Sequence, residues 1–327
     1  MENNERGKRM ALRDFLEERR QFSVAKLCAL RENIQKANFP SDCAVVINGS
    51  FARGDATLES DVDYFVLHER SEDNLPELKT LIKEKMPEVI ADAGLRSPSA
   101  GGAFAEAESL EQFLCNVGGT QDPNDKLTRR MLLMLEGDWL TNEALVNRAR
   151  SELVNSVYIK DLNDHQLARF FLNDLVRYWR TIGVDFAFKT GEGSNPKPWG
   201  IRNLKLLFSR KLIYFSGILM AAETVQRTTA CKKERLLELS RMTPIARVSE
   251  VCGAEADRLI DYYATFLQKM SNPDFRVLVE STKEDRLTHS QDFRALKDLG
   301  QHFSWELDRV LNARYGHRHP IHHALVF

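Results

Sequence analysis

Two short β-branched runs and the segment between them constrain this chain more than any other feature. Cys43-Ala-Val-Val-Ile and Val62-Asp-Tyr-Phe-Val-Leu read as strands, and Asn48-Gly-Ser-Phe-Ala-Arg-Gly-Asp between them reads as a turn-rich loop. Asp61 and Asp63 are separated by one residue. The period of two in a strand therefore puts both carboxylates on one face, about 7 Å apart along the backbone. Two carboxylates on one face repel unless a cation lies between them. A hard divalent ion such as Mg²⁺ does this, taking one or two carboxylates and completing its shell with water and phosphate oxygens. Gly49-Ser50, at the end of the first strand, supplies backbone N–H groups with no bulky first side chain, so a polyphosphate can approach closely. The competing reading is a polar hairpin whose Gly and Asp only satisfy turn geometry.

Helical periodicity surrounds this unit. Leu12, Phe15, Phe22, Ala25, Leu27, Leu30 and Ile34 predict an N-terminal helix or helix pair, ended by Pro40 and Asp42. Residues 72–93 predict a helix, and Ala103 to Glu108 a further strand before a short helix capped by Ser109. After Pro123 the apolar residues recur at helical intervals with no convincing strand, and Gly183 to Trp199 marks a break between two amphipathic helices. Further helices are expected near 231–240, 254–271 and 291–314. The expected domains are a helical segment at 1–39, an α/β domain at 40–122 and a helical domain at 123–327.

Composition closes off other classes. Lys+Arg 46 against Asp+Glu 47 leaves a net charge of -1, so no global basic field argues for nucleic-acid binding. The five cysteines are widely spaced without a CxxC pair, which argues for small buried residues rather than a disulfide framework or zinc site. No run approaches the roughly 18 apolar residues of a membrane span, and the charged N-terminus does not read as a signal peptide. The expectation is a cytoplasmic protein. The four histidines of Gly316-His-Arg-His-Pro-Ile-His-His read as a frayed terminal tract rather than a metal site.

The strand, Gly49-Ser50, Ala52-Arg53-Gly54 and Ser60-Asp61-Val-Asp63 together resemble the signature of the DNA polymerase beta-type nucleotidyltransferase superfamily. Two further stretches are similar to the catalytic region of bacterial PII-protein uridylyltransferases and their shorter relatives. One runs from Gly94-Leu95 through Glu108-Ser-Leu-Glu-Gln-Phe to Asp125-Lys-Leu-Thr-Arg-Arg-Met-Leu-Leu-Met-Leu-Glu; the other is Asn195-Pro-Lys-Pro-Trp-Gly-Ile-Arg-Asn. In the latter, Trp199 stands where the family has a second glycine and Asn203 where it has an acid. The resemblance covers roughly residues 40–225 and does not imply the metabolite-sensing or uridylyl-removing activities of the larger proteins.

The resemblance implies an α+β fold: an N-terminal polymerase-beta-like nucleotidyltransferase domain followed by a helical domain. It also implies Mg²⁺ (or Mn²⁺) on Asp61, Asp63 and a third acid. Glu106 is favoured for that place, with Glu108, Asp122 and Asp125 behind it. Gly49 and Ser50 would hold phosphates. Arg53 is either a phosphate ligand or a brace for the loop, and Ser60 fixes the metal-binding strand by hydrogen bonding. On the helical side Arg177, Arg202 and Lys205 are candidate nucleotide contacts, against the plainer reading of a solvated face or salt bridges; Arg129-Arg130 either reaches the cleft or pairs with nearby acids. The implied activity is transfer of an NMP group from an NTP to an acceptor hydroxyl, on a protein by resemblance. Transfer to a small molecule or nucleotide, and a non-catalytic nucleotide-binding module, are the alternatives.

Overall fold

The computed structural model describes residues 2–71, 75–98, 105–191 and 198–326, with side chains from residue 6 onward. It is an α+β protein with one small sheet and many helices. In chain order come α1 (Glu2–Lys36), β1 (Cys43–Ile47), α2 (Gly49–Arg53), β2 (Tyr64–His68), α3 (Leu75–Asp92), β3 (Ala107–Ser109), α4 (Leu110–Leu114), α5 (Asn124–Leu135), β4 (Asp138–Trp139), α6 (Glu143–Glu152) and α7 (Arg169–Thr190). They are followed by α8 (Trp199–Lys205), α9 (Lys211–Ala222), α10 (Thr229–Ser240), α11 (Pro244–Cys252), α12 (Asp257–Met270), α13 (Pro273–Ser281), α14 (Glu284–Leu287), α15 (Gln291–Arg314) and α16 (Pro320–Val326). Two π-turns, Leu153–Tyr158 and Leu206–Arg210, continue α6 and α8.

The chain forms two compact units. The sheet unit is Glu18–Asp174 with Met220–Thr243, and the helical unit is Met1–Glu17 with Leu175–Leu219 and Pro244–Phe327. These differ from the bounds read off the sequence. The sheet unit begins inside α1, because Leu27, Leu30 and Ile34 of that helix belong to the core under the sheet. It also extends well past residue 122, because β4 pairs antiparallel with β1, Val46 opposite Trp139 and Ile47 opposite Asp138. A two-residue strand carries no periodicity of its own, which is why the sequence read helices only after Pro123.

The sheet order is β3-β2-β1-β4, with β1 antiparallel to β2 and β2 parallel to β3. Cys43, Val45, Ile47, Val62, Tyr64 and Val66 point to one face and pack with α1 and with Leu78, Ile82, Met86, Val89 and Ile90 of α3. The opposite face carries Val46 and Phe65, whose ring lies 6.3 Å from that of Phe113 on α4. Both faces are covered, so both strands read as continuous apolar runs rather than alternating ones. Behind this face, α5 holds Arg130 fully buried. Its guanidinium donates to Asp122 at 2.9 and 3.0 Å and to Asp174 at 2.9 and 3.1 Å, with the Tyr158 hydroxyl donating to the same Asp174 oxygen at 3.2 Å. The choice left open for Arg129-Arg130 falls on pairing with acids.

In the helical unit Phe208 stacks on Phe266 with centroids 4.4 Å apart, and Phe303 and Tyr263 complete the aromatic core between α12 and α15. Gly200 has to be glycine: a Cβ there would lie 2.7 Å from the Val279 carbonyl oxygen. The break expected from Gly183 sets in only after Thr190, since α7 runs through that glycine; an isolated glycine in a helix costs only about 1 kcal/mol. Among the described residues no helix is long and apolar enough to cross a membrane. All five cysteines are free thiols. Cys43 and Cys252 are buried as anticipated, whereas Cys28 and Cys231 are exposed.

Candidate active site

The site is organised by the turn after β1. Gly49 takes φ +72°, and the next residues close into α2, a helix of five residues where the sequence read a loop. Its short length and glycine ends hide it from any periodicity. Phe51 and Ala52 anchor it in the core, and Gly54, at φ 78°, ends it in the left-handed conformation. Asp55 N–H donates to the Ser50 carbonyl at 2.9 Å, closing the turn on itself.

Asp63 lies directly against this turn. Asn48 N–H donates to the Asp63 carbonyl at 2.8 Å, and a Cβ on Gly49 would stand 3.0 Å from the Asp63 carboxylate oxygen Oδ2. Gly49 therefore serves two ends: it supplies the positive φ and leaves room for the carboxylate. Asp61 is exposed and Asp63 half-exposed, while Val62 between them is fully buried, so burial alternates along this stretch. Both precede β2 proper. Asp61 forms an isolated bridge with Arg96, and Val62 N–H donates to the Arg96 carbonyl at 2.9 Å. Ser60 fixes the approach to the acids: its hydroxyl accepts from Thr57 N–H at 3.0 Å, and its own N–H donates to the Thr57 carbonyl at 3.0 Å.

Arg53 is a brace. It donates to both carboxylate oxygens of Asp55, at 3.0 and 3.1 Å, and to Glu136 Oε2 at 2.8 Å. Glu136 Oε1 in turn accepts the Gly49 N–H at 3.0 Å. The Gly49 amide, expected at a phosphate, is thus committed to a buried carboxylate, and the turn is tied to the end of α5. Glu136 and Asp55 are the site residues that sequence reasoning missed. Arg53 was the available signal, because an arginine in a compact loop calls for carboxylate partners.

Among the described residues no third carboxylate joins Asp61 and Asp63 in a group placed to hold a metal ion. Parallel pairing sets Ala107 opposite Val66 and Glu108 opposite Leu67, which puts Glu106 beside Phe65, two residues beyond Asp63. Glu106 is exposed. Glu108 is buried and held by Arg129 at 2.5 Å, with Lys126 at 3.9 Å; burial pushes its carboxyl pKa up. Asp125 pairs with Arg129 at 3.2 Å, and Asp122 is spent on Arg130. Among the described residues no group of three or more His, Cys, Asp and Glu side chains is placed to hold a metal ion. Asp61 and Asp63 remain as a pair of carboxylates, which fits an ion that fills its other positions with water and substrate oxygens.

Arg177, Arg202 and Lys205 belong to the helical unit, so the structure does not place them in the same compact unit as Gly49, Ser50, Asp61 and Asp63. Burial lowers the pKa of Arg202, and the nearby charge of Arg210 lowers it further. Lys189 pairs with Asp185 at 2.7 Å. Asn195 to Lys197 lie outside the described residues.

Residues 27–96 match the family model described as a nucleotidyltransferase domain. The match takes in the C-terminal end of α1, the antiparallel pair β1 and β2, the Gly49-Ser50 turn and the two aspartates. No curated protein matches the chain.

Proposed function

We propose that this chain is a nucleotidyltransferase that moves an NMP group from an NTP to an acceptor hydroxyl, on a protein, with release of pyrophosphate. The observation that carries the reading is the seating of the Asp63 carboxylate against the Cβ-less Gly49, with Asp61 two positions before it, inside the segment that matches the nucleotidyltransferase domain. Asp61 and Asp63 would hold a divalent ion, Mg²⁺ or Mn²⁺. Bound there, such an ion neutralises phosphate charge and polarises the reacting oxygens.

The chain's own residues position the rest. Ser50 offers a hydroxyl donor at the turn, half-exposed and next to the glycine that clears the approach. Arg53, Asp55 and Glu136 hold the turn rigid, so its donors need no rearrangement when charge develops. Ser60 and the Arg96 bridge fix the strand that carries the acids. In the reaction the acceptor oxygen forms a bond to the α-phosphorus, the bond from that phosphorus to the bridging oxygen breaks, and pyrophosphate leaves; the hydroxyl proton passes to solvent.

Pyrophosphate release from each of the four NTPs, with Mg²⁺ or Mn²⁺ and with or without cell lysate, tests the reading. Release that disappears in Asp61→Ala/Asp63→Ala supports it, and dependence on lysate points to an acceptor outside the assay mixture. That no third carboxylate joins Asp61 and Asp63 among the described residues favours a second reading, a nucleotide-binding module without turnover. NTP binding with no release under any condition would select that reading instead.

A further inference from the structure

The segment from α8 into α9 carries a pair of arginines for which the described residues supply no hydrogen bond or ion pair. Arg202 and Arg210 are each partly buried, and neither makes a hydrogen bond or ion pair among the described residues. Arg210 Nη1 is buried with no hydrogen-bond partner, and so is Oδ1 of Asn203, beside Arg202 in sequence. Asp185, the carboxylate that acts on Arg202, is ion-paired to Lys189 at 2.7 Å. The two guanidinium groups are close enough for the charge of Arg210 to lower the pKa of Arg202.

The helix is built to bring them together. In an uninterrupted α-helix, positions eight apart differ by about 80° around the axis. The π-turn Leu206–Arg210 interrupts this one, and its extra residue takes out roughly 100°. Arg202 and Arg210 then project within about 20° of each other. The turn itself is locked from behind, where the Tyr263 hydroxyl hydrogen-bonds that of Ser209 at 3.1 Å. Aligning two like charges and leaving a buried donor unmet is costly unless an anion completes the arrangement. Guanidinium groups answer best to an oxyanion that accepts two parallel hydrogen bonds from each fork.

We propose that Arg202 and Arg210, aligned by the π-turn, form a binding site for a phosphoryl oxyanion within the helical unit. The site does not rest on the nucleotidyltransferase reading. Its phosphoryl group belongs either to a nucleotide or to a phosphomonoester, and both present the same oxygens.

Calorimetric titration of the full chain with pyrophosphate, with inorganic phosphate and with an NTP, all without divalent metal, tests it. Wild type and Asp61→Ala/Asp63→Ala are expected to bind alike, and Arg202→Gln/Arg210→Gln to bind at least tenfold more weakly. Arg202→Lys/Arg210→Lys keeps both charges and loses the forks, so it is expected to fall between them; it decides the matter if the glutamine variant does not fold. Tighter binding of NTP than of inorganic phosphate assigns the nucleotide as the source, and equal binding assigns a phosphomonoester. Equal affinity of wild type and both arginine variants would overturn the proposal. So would loss of binding in the aspartate variant alone, or absence of binding at millimolar concentration.

Discussion

Gly49 and Glu136 are two residues of one turn with opposite legibility. Gly49 was readable because its neighbours in sequence declare the chemistry. Alanine there is expected to cost about 1–2 kcal/mol for the left-handed backbone alone, and to push the Asp63 carboxylate aside. A thermal melt should show the stability loss, and pyrophosphate release should fall at least tenfold, about 1.4 kcal/mol of transition-state stabilisation. Glu136 was not readable as a site residue, since it lies 87 positions from the amide it accepts and nothing local marks it. Its side chain is only 3% exposed, so Glu136→Ala leaves the Gly49 amide without its acceptor and Arg53 without one of its carboxylate partners, and is expected to destabilise by about 2 kcal/mol in a denaturant titration. Asp61→Asn should behave in the reverse way. Asp61 is exposed, so its stability should stay within about 0.5 kcal/mol of wild type while pyrophosphate release is lost.

At the level of elements, legibility followed length. The strands β1 and β2 and the helices α3, α10, α12 and α15 stand close to where periodicity put them, because each buries enough side chains to impress a pattern. The five-residue α2, the two-residue β4 and the π-turns are set by tertiary contacts and left no such imprint. The end of β2 also carries a titration. His68 is buried opposite Cys43, and its Nδ1 accepts the Arg70 N–H at 3.2 Å. Burial, aided by the Arg70 charge, holds its pKa below the ordinary 6.5. The unfolded chain therefore takes up this proton first as pH falls. The stability that neutral His68 supports is present above pH 6.5 and is lost as pH drops through the folded-state value. His68→Gln should flatten the fall of melting temperature expected of the wild type below pH 6.5; an unchanged slope would move the acid sensitivity elsewhere.

At the scale of the whole molecule, the sequence showed that an α/β part and a helical part exist but not where they divide. Contacts define a compact unit, and here they join stretches far apart in the chain: α1, α7 and α9 each contribute residues to both units. A fragment of residues 40–122, the α/β domain as composition suggests it, lacks Leu27, Leu30 and Ile34 beneath the sheet, the β4 edge and Glu136. It also loses Arg31, whose guanidinium sits 3.8 Å over the Trp139 ring. Such a fragment is expected to show no cooperative thermal transition by circular dichroism, whereas the full chain melts cooperatively. The hydrogen bond from Gly49 to Glu136 has a further meaning for a chain still being made. At 5–20 residues per second the ribosome needs about 4–17 s to add the 87 residues between donor and acceptor. Throughout that interval the Gly-Ser turn has no anchor, so a nascent or prematurely terminated chain carries the two aspartates without the geometry that makes them useful.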